Sequence, residues 1–225
     1  MPESEDERWS ALEVTHNQTV RSKRMAMFNT SSIELRHLFI AWVALSFAFA
    51  LVLDDPLPGE TFSSSFIDLM ILCLITLGVS FIAHEMGHKF VAQQYGAWAE
   101  FRMSLGMLLF AILMAWQMNF IFAAPGAVQI LGPHISKSQM GKIAAAGPLV
   151  NLFLAFVFMP LLFDTGFLHE IGLFGVRINL ALAGFNMLPI SVLDGRKVLA
   201  WSSIVYLGLV ILIILVGIFL LPLVI

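Results

Sequence analysis

The stretch Phe66-IDLMILCLITLGVSFIAHEMGHKFVAQQ-Tyr95 decides the fold. It is an apolar run long enough to cross a bilayer, which takes roughly 17–25 residues as a helix. Near its end it carries His84, Glu85 and His88. Helical residues four apart share a face, so both imidazoles can reach one metal ion. Glu85 between them lies close enough to act on a water at that ion, as in zinc peptidases. Ionisable groups inside a span are costly and usually functional. The alternatives are a polar cluster held by helix–helix hydrogen bonds, or a proton or cation relay.

Composition agrees with a membrane setting. Of the 225 residues, 59% are hydrophobic and 12% charged, and the mean hydropathy is +0.90. Soluble domains carry about a quarter charged residues, which excludes an ordinary water-soluble globule. Of 27 charged side chains, 11 fall in the first 36 residues. A net charge of -3 gives no basic surface for nucleic acid. Cys73 is the single cysteine, so no intramolecular disulfide supports the fold.

Working outward, the other apolar segments are Leu38–Leu53, Leu105–Ala124, Ile143–Phe163, Ile178–Leu193 and Val198–Ile225. The distribution of cations arbitrates Leu105–Ala124. If that segment dips in and returns, Lys89, Arg102, Lys137, Lys142, Arg196 and Lys197 join the N-terminal cations on the cytoplasmic side. Only Arg177 is then outside, as an interfacial anchor. The expected fold is an all-α polytopic membrane protein with five or six transmembrane helices and a re-entrant or β-hairpin segment near 103–130. Ala123–Ile130, with Pro125 and Gly126 followed by β-compatible residues, reads as a short strand or hairpin, or else as an ordinary loop. Residues 1–36 read as a polar cytoplasmic tail, with no signal-peptide core.

Two histidines leave a tetrahedral zinc short of a protein ligand. Glu100 is expected in the interface, and Asp164 and Glu170 on the opposite face. Asp194 lies 16 residues beyond Ile178, much as His84 lies 18 beyond Phe66, so the two reach similar depth. Asp194 is the geometric choice.

Here the sequence resembles the site-2 protease family of intramembrane zinc metalloproteases. Three motifs carry the likeness in order: His84-Glu-Met-Gly-His88, Gly147-Pro-Leu-Val-Asn151, and Asn186-Met-Leu-Pro189 with Leu193-Asp194-Gly195. Together they span about residues 66–197, the motif core of a metalloprotease domain expected over 37–225. The resemblance implies one Zn2+ held by His84, His88 and Asp194, with Glu85 as general base. It implies Asn186 near the metal, contacting substrate or a developing oxyanion. Pro125, Gly126 and Val128 fall where the family has a hairpin that presents substrate. Asn151 reads as helix packing first and as a substrate contact second. No PDZ-like insertion fits within this length.

The implied function is zinc-dependent cleavage of peptide bonds in or near transmembrane segments of membrane proteins. The partners are then a transmembrane protein or peptide substrate and the lipid bilayer of a prokaryotic cell, with the site near the cytoplasmic leaflet. A rival enzyme would draw its third ligand from a glutamate such as Glu100 or Glu170. The non-enzyme rival is an ion- or proton-coupled transporter using the same residues as a relay, although no internal repeat supports it.

Overall fold

The structure is a computed structural model describing residues 29–54, 61–121, 125–132, 135–190 and 192–224. Most of the expected tail, together with Ala123 and Ala124, lies outside the described residues. Helix α1 (Ser32–Leu53) starts where the Ser31 hydroxyl accepts the Glu34 amide, six residues before the apolar run at Leu38. Its 22 residues rise about 33 Å, enough for a hydrocarbon core of about 30 Å.

Helix α2 (Phe66–Gln94) is α-helical except for a π turn over Leu74–Gly78. Such a turn loosens the regular backbone pairing, and α1 takes up two carbonyls there. Trp42 Nε1–H donates to Leu74 O at 2.9 Å, and the Ser46 hydroxyl donates to Cys73 O at 3.2 Å. A Cβ on Gly78 would lie 2.0 Å from the Trp42 ring, so only glycine lets the two helices approach this closely. Gly96, with φ +76°, closes the helix, and the Ala97 amide returns to Ala92 O.

Strand β1 (Trp98–Met103) then pairs antiparallel with β2 (Gly126–Leu131), in a register that sets Phe101 opposite Val128. Helix α3 (Leu105–Met118) is inserted between them. Its 14 residues rise only about 21 Å. The chain must also return so that Gly126 pairs with Met103 and Ser104 N–H reaches Pro125 O. The excursion is therefore out and back, which leaves, among the described residues, five helices long and apolar enough to span.

Helix α4 (Lys137–Phe158) opens on a Ser136/Gln139 capping box, contains Pro148 and tightens into a 3-10 turn over Met159–Phe163. Helix α5 (Gly166–Asn186) begins 12 residues before the expected Ile178. Its glycines and polar residues hide that start from a hydropathy reading, so Arg177 sits midway along a helix and not at its end. Short helix α6 (Asp194–Trp201) and the apolar α7 (Ser203–Val224) complete the chain. Buried Leu152, Ala155, Phe158, Ile171, Val176 and Ala183 join α4 to α5, and α2 packs against the same α4.

Candidate metal centre

One turn of α2 presents His84 and His88 toward the interior, 4% and 7% exposed, with Nε2 atoms 3.0 Å apart. Asp194 arrives from the opposite side as the first residue of α6. Its Oδ2 lies 3.2 Å from His84 Nε2 and 3.0 Å from His88 Nε2. The turn that delivers it is sterically defined. A Cβ on Gly195 would lie 2.2 Å from Met187 O, so the chain can fold back after α5 only with glycine there. Pro189 in that turn cannot continue α5.

The outer nitrogens of both rings are also held. His84 Nδ1 lies 2.5 Å from Asn151 Oδ1, and His88 Nδ1 lies 2.7 Å from Ile143 O. Both oxygens only accept, so both Nδ1 atoms carry the proton and both Nε2 atoms present lone pairs. Two nitrogen lone pairs and a carboxylate oxygen within 3.2 Å of one another repel unless a cation lies among them. The donor set, N2O with its histidines anchored by oxygens behind, suits zinc. Gly147 supports the same reading, since a Cβ there would lie 2.5 Å from both Nε2 atoms.

Glu85 is 8% exposed, and its Oε2 accepts the Val128 amide of β2 at 3.1 Å. His84, Glu85 and His88 thus form one cluster with ligand atoms within 4.8 Å. The carboxylate nearest both imidazole Nε2 atoms is nevertheless that of Asp194. A cavity of about 950 Å3 borders the cluster and is walled by Glu85, Pro125, Gly126, Val128, Asn186 and Asp194 among others.

Not every expected residue is in that cavity. Asn186 lines it, but its amide donates to Leu182 O at 3.0 Å and makes no contact with the histidines among the described hydrogen bonds. Asn151 is fully buried behind His84, where it cannot meet a substrate. Glu100 of β1 is engaged by Arg102 on the same strand and by Ser31, the N-cap of α1, and is not part of the metal cluster. Sequence reasoning missed Asn179 and Ser80, which hold Asn151 in place. The available signal was Asn179 itself, a second asparagine on the helix that ends in Asn186.

The model for Peptidase family M50 matches residues 72–170, which contain both histidines and Asn151. A "putative zinc metalloprotease" of Methanocaldococcus jannaschii is 41% identical over 185 residues, covering 81% of this chain and 91% of the relative. Another of the same description, from Bacillus subtilis, is 30% identical over 155 residues, covering 59% of this chain and 69% of the relative. A "zinc metalloprotease" of Methanocaldococcus jannaschii is 31% identical over 132 residues, which is 56% of this chain and 32% of that protein. No solved structure gives a significant match. The chain belongs to peptidase family M50, the site-2 protease family. It is a multi-pass membrane protein and a zinc metalloprotease.

Proposed function

We propose that this chain is an intramembrane endopeptidase that hydrolyses peptide bonds in or near transmembrane segments of other membrane proteins. The observation that carries the proposal is a metal-type donor set, built on a spanning helix, that opens into a cavity bounded by a free strand edge. Helix α1 begins at Ser32 and buries Glu34, so the catalytic unit takes in residues 32–36 of the expected tail, with its motif core at about 66–197.

His84 Nε2, His88 Nε2 and an Asp194 oxygen hold one zinc ion. When bound, zinc supplies a Lewis acid that makes a water nucleophilic near neutral pH and polarises a peptide carbonyl. Glu85 takes the proton from the attacking water and returns it to the departing amine. Asn186 keeps one amide hydrogen for the developing oxyanion while the other binds Leu182 O. The outward edge of β2, from Pro125–Gly126 through Val128, receives the substrate as an added strand. That pairing exposes the scissile carbonyl, which a helix would bury in its own hydrogen bonds.

Orientation follows from charge. With α3 returning, Lys89, Arg102, Lys137, Lys142, Arg196 and Lys197 share a side with the start of α1, and Asp54 and Asp164 lie on the other. The N-terminus and the metal centre are therefore assigned to the cytoplasmic side.

The test is purified protein in proteoliposomes with membrane-protein substrates, comparing wild type with Glu85→Gln. The variant should bind zinc at the wild-type stoichiometry and lose at least about 10²-fold in cleavage rate. Undiminished cleavage by Glu85→Gln would refute the mechanism.

A further inference from the structure

The interior contains a chain of polar side chains that the hydrolytic reaction does not itself use. Thr76, Ser80, Asn151 and Asn179 are all fully buried, on three different helices. Every donor–acceptor direction along this chain can be fixed from its far end. Thr76 O and Gly175 O are backbone carbonyls and only accept. The Ser80 hydroxyl donates to Thr76 O at 2.7 Å, so its oxygen is left to accept. The Asn179 amide nitrogen donates to Ser80 Oγ at 2.7 Å and to Gly175 O at 2.8 Å. Both of its hydrogens are then committed, which turns Asn179 Oδ1 toward Asn151.

Asn151 follows in step. Its nitrogen donates to Asn179 Oδ1 at 2.9 Å, so its own oxygen faces His84 Nδ1 at 2.5 Å. An acceptor at that position forces the proton onto Nδ1 and leaves the lone pair on Nε2, beside His88 and Asp194. With Asn151 turned over, its NH2 would face Nδ1, and the ring would protonate on Nε2 and lose its capacity to ligate.

We infer that Asn179 is a positioning residue for the metal: by orienting the Asn151 amide it sets the His84 tautomer that can bind zinc. This inference rests on the assignment of His84 as a ligand. Asn179 makes no described contact with either histidine and acts through Asn151, whose amide nitrogen also donates, at the longer distance of 3.4 Å, to Ser80 O.

The test is zinc affinity of detergent-solubilised full-length protein, by competition with a chromophoric chelator. Asn179→Leu should weaken zinc binding about 10- to 100-fold, the usual effect of losing an outer partner of a ligand histidine. Asn151→Asp puts an acceptor oxygen on both sides of the side chain, so its orientation no longer matters. Asn151→Asp alone sets a carboxylate oxygen against Asn179 Oδ1 and should itself weaken binding, whereas the Asn151→Asp/Asn179→Leu double variant, which removes that opposing acceptor, should recover most of the affinity lost in Asn179→Leu. A purely structural role for Asn179 would not be rescued in this way. Wild-type affinity in Asn179→Leu, or a double variant as weak as Asn179→Leu, overturns the inference. If Asn179→Leu fails to yield a monodisperse protein, Asn179→Ala with the same second-site change makes the same comparison. Failure of wild-type protein to bind zinc would instead overturn the ligand assignment, so the two failures are distinguishable.

Discussion

Val128 donates its backbone amide to Glu85 Oε2 at 3.1 Å, so the glutamate beside the metal cluster also holds the free edge of β2. Phe101 and Val128 are directly opposed, and each turns its amide away from the ladder. The Phe101 amide is taken by buried Glu34 at 2.9 Å, which closes the β1 edge. The β2 strand lines the cavity from Gly126 to Ile130. On the proposed strand addition, a substrate offers a carbonyl to Val128 N–H in place of Glu85. Proline at position 128 has no hydrogen to give, so Val128→Pro should lower cleavage about tenfold, roughly the worth of one backbone hydrogen bond, with zinc content unchanged. Wild-type cleavage by Val128→Pro would count against strand addition at this edge.

Gly147 leaves the space in which the imidazoles meet. A Cβ there would stand 2.5 Å from both Nε2 atoms. Gly147→Ala is expected to abolish stoichiometric zinc, measured by elemental analysis. Gly208→Ala, on α7 where nothing lies within 4 Å, should leave zinc content and activity intact.

Asp194 and Glu170 separate the two candidate ligand sets. Asp194→Ala removes the oxygen 3.0 Å from His88 Nε2 and should reduce zinc affinity by at least about 10²-fold. Glu170 lies in the first turns of α5 and is exposed, so Glu170→Ala should retain the metal. Loss of zinc in Glu170→Ala alone would reverse the assignment.

Glu34 and Lys89 form a fully buried ion pair that joins α1 to the residue after His88. Breaking such a pair strands a charge and costs roughly 3–5 kcal/mol. Lys89→Met should lower the thermal midpoint sharply. Glu34→Gln/Lys89→Met, which leaves no charge behind, should recover most of the loss.

Much of this site could be read directly from residue order. His84, Glu85 and His88 announce themselves by helical spacing, and Asp194 by depth along the chain. Asn151 reads from its small-residue context as helix packing, because spacing cannot show which side chain stands behind a ligand. The start of α5 is hidden because Gly166, Gly172 and Gly175 dilute its hydropathy, although Gly172 fits against Leu161 in the 3-10 turn and Gly175 against Phe158 of α4. The helix between β1 and β2 was legible as a returning segment from charge alone. That it separates two paired strands depends on contacts between residues some 25 apart, which local pattern does not encode.

The π turn at Leu74–Gly78 has a geometric consequence for everything after it. Such a turn amounts to one residue inserted into an α-helix, and each residue advances the helix by about 100°. Removing a single residue there would restore regular winding and swing His84, Glu85 and His88 about a quarter-turn away from Asp194. The angular phase of the metal-binding face is thus set two to three turns upstream, by a segment that carries no chemistry of its own.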